Sequence, residues 1–233
     1  MGSDREHVLQ VLQANIYSTL QRSFSDLGGL VFFNRFDEML AITNGITREQ
    51  HEKIKQNLQT QFHPTVSMAI GIGSTPFEAQ LKASKFLQEI GSAQSITRNG
   101  VIACERTLEL ENSYVQVMHF DIDAITKTFT DHVSAYETSL HVMNLYTELM
   151  RWFRERQSLV FFLGGDNFMG VANGLATSEV ESVIQEYRNR NVKLKCGIGI
   201  AQTARKAAEL AAKNLDIIRL GNGERSILLT TIV

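Results

Sequence analysis

The spacing of apolar and polar residues predicts alternating helices and strands in the second half of this chain. Apolar residues recur every three or four positions over 134–154, 179–190 and 204–219, which predicts three helices. Short β-rich runs predict strands at 114–121, 158–163, 168–172, 193–200 and 226–230. The predicted order is therefore β-α-β-β-α-β, followed by one more helix and one more strand.

The first half shows the same order of elements, but it begins one strand late. Helical spacing covers 5–24, 48–61 and 77–90. The β-rich runs form a hairpin at 30–43, a strand at 65–70 and a weaker strand at 100–105. The counterpart of the strand at 114–121 would lie before Met1.

An internal repeat explains why the two halves share this order. Residues 30–39 align with 159–168, and at the same offset Asn44-Gly45 aligns with Asn173-Gly174. With one residue of slippage, three further pairs align: Gly71 with Gly199, Thr75 with Thr203, and Ala79 with Ala207. A repeat over most of both halves indicates two copies of one domain.

We therefore expect an α/β (α+β) protein with two tandem domains, residues 1–110 and 111–233. The element order is that of ferredoxin-like or palm-like domains with mainly antiparallel sheets. Either the given sequence is truncated before the first strand of the first domain, or this domain has lost that strand.

Composition narrows the class of function. The chain is 43% hydrophobic and 21% charged, with a formal net charge of −2, which is typical of a globular protein and disfavours nucleic-acid binding through bulk charge. Cys104 and Cys196 lack metal-ligand spacing and are expected to be free thiols in the cytoplasm. The sequence shows no apolar run long enough to span a membrane and no export signal, so we expect no association with a membrane.

Two aspartates in the second half are candidates for a metal site. In this topology the first strand ends at the same sheet edge as the turn between the second and third strands. Asp121 occupies the first place and Asp166 the second. Two carboxylates at one edge repel each other unless a cation lies between them, and Mg²⁺ prefers such oxygen ligands. Alternatively, Asp166 belongs to a tight Gly-Gly-Asp-Asn turn and Asp121 caps a helix.

Residues near Asp121 extend the possible site. The following loop is expected to lead into a helix whose first backbone N–H groups can hold a triphosphate. Asp123 is either a third metal ligand or a helix cap. His119 lies on the same side of the strand as Asp121, where it is either a proton carrier or a core or interface residue.

These segments resemble two related families. Gly164-Gly165-Asp166-Asn167-Phe168 is similar to the GGDEF turn of diguanylate cyclases, and 119–123 is similar to their first metal strand. The closer resemblance, over nearly the whole chain, is to archaeal-type GTP cyclohydrolase III. It rests on the segments 35–37, 41–46, 91–94, 130–131, 133–136, 161–162, 164–169 and 197–200.

The resemblance implies a homo-oligomeric, Mg²⁺-dependent enzyme that acts on GTP. Such an enzyme opens the imidazole ring, retains the formyl group and releases pyrophosphate or phosphate. The implied product is 2-amino-5-formylamino-6-ribosylamino-4(3H)-pyrimidinone 5'-monophosphate.

The resemblance also assigns roles to individual residues. Asp121 and Asp166 are implied metal ligands, and the Ile122 carbonyl is a possible third. Asn167 braces the turn or contacts substrate. The segment 125–130, which begins with Ile125 and Thr126, is the implied phosphate cradle.

Other implied contacts have structural alternatives. Asp131, Ser134 and Tyr136 are candidates for contacts with the base or ribose, or they cap and pack a helix. Arg35 reaches a phosphate, or it forms a surface ion pair with Asp37 or Glu38.

One departure from the family leaves the activity open. Family members begin with a strand that carries an Ile-Asp-Asn-type motif, and this strand is absent here. Activity either rests on the complete second half, or the chain binds GTP without turning it over. A nucleotidyl cyclase on the same scaffold is a further alternative, and it would leave the purine ring intact.

Overall fold

The structure is a computed structural model that describes residues 5–63, 65–92, 94–104, 114–122, 131–221 and 225–232. The chain divides into two compact units, residues 1–113 and 114–233. The chain combines helices with mostly antiparallel sheets, which confirms the predicted fold class. No helix among the described residues is long and apolar enough to cross a membrane.

The first unit contains two separate two-stranded sheets. Its elements are α1 (Arg5–Ser25), β1 (Leu30–Arg35), β2 (Glu38–Ile42), α2 (Arg48–Phe62), β3 (Met68–Ile70), α3 (Pro76–Ile90), a short 3₁₀ helix (Ile96–Arg98) and β4 (Ile102–Cys104). Strands β1 and β2 form an antiparallel hairpin, whereas β3 and β4 pair in parallel. The strand predicted at 65–70 is therefore shorter in the structure.

A small apolar core holds the first unit together. It joins α1, β1 and α2 through six buried residues, Leu20, Phe24, Val31, Ile46, Ile54 and Leu58. Met39 of β2 and Met68 of β3 pack against the same cluster. Both small sheets therefore contact one core, although no described strand lies between them.

The second unit contains a complete five-stranded sheet. Its elements are β5 (Val115–Ile122), α4 (Ala135–Glu155), β6 (Leu159–Gly164), β7 (Asn167–Ala172), α5 (Thr177–Asn189), β8 (Leu194–Ala201), α6 (Ala204–Leu220) and β9 (Ile227–Thr231). The strand order is β6-β7-β5-β8-β9. Strand β5 is central and antiparallel to both β7 and β8, while β8 and β9 are parallel.

Helices cover the two faces of this sheet in different ways. On one face, residues of α4 and α5 pack with Met118, Phe120 and Ile122 of β5 in a continuous core. On the other face, α6 approaches β8 so closely that a Cβ at Gly197 would lie 2.0 Å from the carbonyl oxygen of Ala211. Only glycine fits there, so α6 is fixed against the face that carries the odd-numbered residues of β5.

Equivalent contacts occur in the two units. The Tyr17 hydroxyl donates to the Val31 carbonyl at 3.4 Å, and the Tyr146 hydroxyl donates to the Val160 carbonyl at 3.3 Å. A Cβ at Gly71 would lie 2.0 Å from the Ala79 carbonyl oxygen, and one at Gly199 would lie 2.1 Å from that of Ala207. The sequence repeat therefore corresponds to repeated packing.

Candidate functional site

The turn between β6 and β7 places Asp166 beside the end of β5. Gly164 and Gly165 adopt positive φ angles of 111° and 62°, which L side chains rarely adopt. Asn167 does not share this conformation and instead starts β7, so the glycines alone supply the positive φ angles of the turn. The Ile122 amide donates to the Asp166 carbonyl at 3.3 Å and ties the turn to β5.

Asp121 is a buried carboxylate whose partner is an arginine. It lies opposite Asn167 on β7 and Lys195 on β8, and the whole residue is only 7% exposed. Arg219, in the last turn of α6, donates from Nη2 to Oδ1 at 2.5 Å and from Nε to Oδ2 at 3.3 Å. This two-point contact raises the pKa of Arg219. It also supplies the positive charge that a buried carboxylate requires.

Asn167 connects the two aspartates to the neighbouring side chains. Its Nδ2 donates to Asp166 Oδ1 at 2.8 Å. Its Oδ1 accepts from Arg219 Nη2 at 3.3 Å and lies 3.1 Å from His119 Nε2. The side chain therefore braces the turn, which is one of the two roles expected for Asn167.

Asp166 lies where a negative charge is unfavourable. Burial first, and then the charge of Asp121, raise the pKa of the Asp166 carboxyl. A divalent cation between two carboxylates would remove this repulsion. The oxygens of Asp121 and Asp166, with the Ile122 carbonyl at the end of β5, are hard ligands of the kind that suit Mg²⁺.

This donor set fits Mg²⁺ bound together with a substrate better than Mg²⁺ held by the protein alone. Among the described residues there is no group of three or more His, Cys, Asp and Glu side chains that could hold a metal ion. Mg²⁺ commonly uses one or two carboxylates and takes its remaining ligands from water and phosphate. Because Arg219 contacts both oxygens of Asp121, it must shift before a cation binds there.

His119 contributes a neutral imidazole to the same cluster. Burial lowers its pKa more than the hydrogen bond to Asn167 raises it. Since Asn167 Oδ1 is an acceptor, Nε2 carries the proton and Nδ1 has a free lone pair. His119 Nδ1 is buried and has no hydrogen-bond partner within the described part of the chain.

The other predicted contacts are local ones or lie outside the described residues. Ser134 caps α4, where its Oγ accepts from the Glu137 amide at 3.2 Å, and Tyr136 is 77% exposed. Asp131 is exposed in the preceding turn.

In the first unit, Arg35 Nε lies 3.3 Å from Glu38 Oε2 and 3.8 Å from Asp37 Oδ1, which is the surface ion pair given as its alternative. Asp123, Ile125 and Thr126 are not among the described residues.

Arg219 is not among the site residues predicted from the sequence, although the strand topology contains a signal for it. Strand β8 begins beside Asp121 and runs away from that sheet edge, and α6 then returns antiparallel along the sheet. The last turn of α6 therefore lies near the carboxylates. Basic residues are common in the last turn of a helix because they stabilise its C-terminal end. The presence of Arg219 in this turn therefore did not by itself indicate a functional site.

Comparisons with known proteins agree on one family. The family model described as GTP cyclohydrolase III matches residues 1–231. The chain is 46% identical over 214 residues to GTP cyclohydrolase III of Methanothermobacter thermautotrophicus, which covers 91% of this chain and 85% of that protein. It is 42% identical over 216 residues to GTP cyclohydrolase III of Methanocaldococcus jannaschii, with 92% and 80% covered.

More distant similarity is found among solved structures. The GGDEF domain of DgcB from Caulobacter crescentus has a TM-score of 0.42 and 16% identity, and covers 51% of this chain and 78% of that chain. The GGDEF domain of PA1120 from Pseudomonas aeruginosa has a TM-score of 0.39 and 20% identity, with 49% and 82% covered. Similarity of this extent carries no functional conclusion.

Proposed function

Because this chain belongs to the GTP cyclohydrolase III family, we propose that it is an enzyme that hydrolyses GTP at the Asp121–Asp166 site of its second unit. The relatives' name supports GTP as the substrate. The observation that carries the location is a pair of converging carboxylates beside an arginine, at the edge of a complete sheet.

The proposed reaction consumes two water molecules for each GTP. One water adds to C8 of guanine, the C8–N9 bond breaks, and N9 takes up a proton while the formyl group stays on N7. The other water attacks phosphorus and releases the terminal phosphates as pyrophosphate. The product is the formylamino-pyrimidine ribonucleotide monophosphate named above.

Asp121, Asp166 and the Ile122 carbonyl would hold Mg²⁺ in this proposal. When bound, Mg²⁺ supplies positive charge for the triphosphate and lowers the pKa of coordinated water. After burial, the charge of Asp121 is the second cause of the raised pKa of Asp166, and two neighbouring carboxylates of this kind favour a shared cation.

Arg219 is proposed to exchange partners when substrate and cation arrive. Its guanidinium neutralises Asp121 in the free protein, and a cation at Asp121 would release it. A planar guanidinium binds phosphate oxygens in the same two-point manner as it binds a carboxylate. Arg219 would therefore move a short distance to a phosphate group of GTP.

His119 and Asn167 are proposed to position the acidic pair. The neutral imidazole donates to Asn167 Oδ1, and this fixes the amide so that Nδ2 faces Asp166. Nδ1 of His119 remains able to accept a proton or a hydrogen bond from a water or substrate that reaches it.

The test is incubation of the purified protein with GTP and MgCl₂, followed by ultraviolet spectroscopy and mass spectrometry of the nucleotide. Ring opening removes the purine chromophore, and the product should carry one phosphate and one formyl group. Chelation of Mg²⁺ should stop the reaction. A product with an intact purine and a new phosphodiester would instead indicate a nucleotidyl cyclase, and unaltered bound GTP would indicate a binding protein; either result contradicts the proposal.

A further inference from the structure

A cleft in the second unit lies between the C-terminal half of α5 and the start of β9. Its volume is about 520 Å³, within the range of about 300–1,000 Å³ that is typical of small-molecule sites. We call it the α5–β9 cleft, and its lining residues are Glu181, Ile184, Gln185, Arg188, Arg225, Ser226 and Ile227. None of these side chains takes part in the reaction proposed at Asp121 and Asp166.

The cleft lies on the opposite face of the sheet from the two aspartates. Directly paired residues share a face, so Asp121 and Lys195 lie on one face, while Cys196 and Ile227 lie on the other. Ile227 packs against the core that contains residues of α4 and α5, which agrees with this side of the sheet. The same pairing places the start of β9 near the sheet edge at which β5 ends. A ligand in the cleft therefore leaves the acidic site free.

The side of α5 that lines the cleft changes in charge along its length. Its four lining residues follow i, i+3, i+4 and i+7 spacing and share one side of the helix: Glu181, Ile184, Gln185 and Arg188. Glu181 and Arg188 are two turns apart, or about 10 Å at the rise of an α-helix. Ile184 is buried and, together with Ile227 of β9, supplies apolar surface between these ends. The cleft therefore has an acidic end, an apolar middle and a basic end.

Two arginines form the basic end. Arg188 Nη2 donates to Ser226 Oγ at 2.6 Å, and Arg225 precedes Ser226 in the chain. Arg188 is in the last turn of α5, where one cation only balances the partial negative charge of the helix end. Arg225 comes from outside the helix and makes no hydrogen bond or ion pair with the part of the chain that the structure describes. This second guanidinium favours an anion, and phosphate oxygens accept two-point contacts from such groups.

The first unit shows that the fold itself does not require these arginines. At the repeat offset, Gln59 of α2 is equivalent to Arg188 of α5. The strand pairings place Gly100, two residues before β4, at the position that Arg225 holds two residues before β9. Lys55 of α2 donates to the Gly100 carbonyl. In the first unit an internal hydrogen bond thus joins the helix to the segment before the strand, whereas in the second unit a cleft with two arginines lies between them.

We propose that the α5–β9 cleft binds a nucleoside monophosphate, with its phosphate at Arg188 and Arg225 and its base toward Glu181. The phosphate neutralises the basic end, and the apolar middle contacts the sugar and the base. An ionised carboxylate only accepts hydrogen bonds, so Glu181 favours a base with two adjacent N–H donors on one edge. Guanine has this pair of donors at N1 and N2, whereas adenine has a single amino group on the corresponding edge. The expected ligand is therefore guanosine 5'-monophosphate (GMP).

The first test measures binding of GMP to the full chain by isothermal titration calorimetry, in EDTA and without GTP. The wild-type protein should bind GMP at least about tenfold more tightly than inorganic phosphate, because the nucleoside adds contacts to the middle and the acidic end of the cleft. Arg188→Gln and Arg225→Ala should each weaken GMP binding on the order of tenfold. Absence of GMP binding, or equal affinities of the wild-type protein and the double variant, would overturn the proposal.

Arg154→Ala is the matched control for the two arginine variants. Arg154 is the basic residue in the last turn of α4, as Arg188 is in α5, and it does not line the cleft. Its removal should leave the affinity for GMP unchanged, and circular dichroism confirms that every variant folds. An equal loss of affinity in all three single variants would show that GMP responds only to net charge, which contradicts a site in the cleft.

The second test concerns the acidic end of the cleft. The wild-type protein should bind GMP more tightly than adenosine 5'-monophosphate (AMP). Glu181→Gln removes the charge but keeps the size of the side chain, so it should weaken GMP binding by about tenfold and change AMP binding little. Equal affinities of the wild-type protein for GMP and AMP would contradict the assigned position of the base.

The third test separates the cleft from the acidic site on the other face of the sheet. Asp166→Ala should bind GMP with the affinity of the wild-type protein, because Asp166 does not line the cleft. Loss of GMP binding in this variant would place GMP at the acidic site and overturn the proposal. Since the titrations contain neither GTP nor a divalent cation, their outcome is independent of whether the chain hydrolyses GTP.

Discussion

Among the described residues, the two units share one plan of elements except for one strand, β5 of the second unit, and this strand affects both packing and chemistry. In the second unit, β5 joins β7 to β8 in a five-stranded sheet. In the first unit, the equivalent strands β2 and β3 belong to separate sheets, with no described strand between them. Strand β8 is almost entirely buried, whereas all three residues of β3 are only half-buried.

The helices show the same contrast. Helix α6 buries eight residues, while the equivalent α3 has no fully buried residue. The central strand therefore fixes the helix that packs across it.

The difference extends to the site. Asp37 and Glu38 of the first unit align with Asp166 and Asn167, but Asp37 pairs with a surface arginine, Arg35. The residue equivalent to Arg219 is Gly91. The two units thus share the arrangement of helices and strands. The acidic site also requires Asp121 from β5 and Arg219 from the end of α6, which the first unit lacks among its described residues.

The largest expected effect is on turnover. Asp166→Ala should reduce GTP ring opening by about 10³-fold or more, because it removes a proposed ligand of the cation. Asp37→Ala changes the equivalent turn of the first unit and should alter the rate by less than about threefold. The loss of purine absorbance measures both. A large loss in Asp37→Ala, or full activity in Asp166→Ala, would reverse the assignment of the two units.

The next effect is on stability. Gly199→Ala should cost about 3 kcal/mol, since the new Cβ would overlap the Ala207 carbonyl and α6 is held by its buried face. Gly71→Ala makes an equally close contact with Ala79, but α3 can move, so we expect about 1 kcal/mol.

Fluorescence of the single tryptophan, Trp152 in α4, follows urea unfolding of the second unit. Its midpoint should fall in Gly199→Ala and stay nearly constant in Gly71→Ala. An unchanged midpoint in Gly199→Ala would contradict the close packing of α6 against β8 in the second unit.

A smaller effect is expected for Arg219. Arg219→Ala should raise KM for GTP by about 30-fold through loss of the phosphate contact, and Arg219→Lys should recover part of it because charge returns without the two-point geometry. Arg48→Ala is the control, since Arg48 forms an exposed ion pair with Glu52 in the first unit. Steady-state kinetics separates KM from kcat. An unchanged KM in Arg219→Ala would exclude the proposed exchange of partners.

The smallest effects concern one histidine in each unit, the buried His51 and the partly buried His119. Burial lowers the pKa of both His51 and His119 below the unfolded value of about 6.5. As pH falls through that value, the unfolded state takes up protons first, so the free energy of unfolding should decrease between about pH 7 and pH 5. His51→Gln and His119→Gln should each reduce this pH dependence in urea titrations.

Turnover distinguishes the two histidines. His51 lies 2.7 Å from the Thr47 carbonyl through Nδ1 and 3.2 Å from Thr43 Oγ1 through Nε2, so its role is structural. His119→Gln should lower kcat by about tenfold and change its pH profile, because Nδ1 of His119 is available in the site. His51→Gln should leave the pH profile of kcat unchanged. Matching profiles for both variants would assign His119 a structural role as well.

Periodicity and the repeat predicted most elements, because long amphipathic helices and glycine turns have strong local signals. The helix predicted at 204–219 is Ala204–Leu220 in the structure. The strand predicted at 65–70 is reduced to Met68–Ile70, since a strand depends on its neighbours and β3 pairs on one side only. The meeting of Asp121 and Asp166 followed from strand order alone.

The contacts of the site were harder to predict. Arg219 is 98 residues from Asp121, so no local pattern joins them. The hydrogen bonds of Asn167 depend on side chains from β5, the β6–β7 turn and α6, which only the folded sheet brings together.

Binding of Mn²⁺, measured by electron paramagnetic resonance as a stand-in for Mg²⁺, tests the shared cation most directly. In the presence of GTP, the wild-type protein should bind the ion at a site that weakens as pH falls, since protonation of Asp166 competes with it and begins at higher pH than for an ordinary carboxyl. Asp121→Asn and Asp166→Asn should each remove this site, and Asp37→Asn should retain it. Undiminished Mn²⁺ binding in the Asp121→Asn, Asp166→Asn double variant would contradict the account.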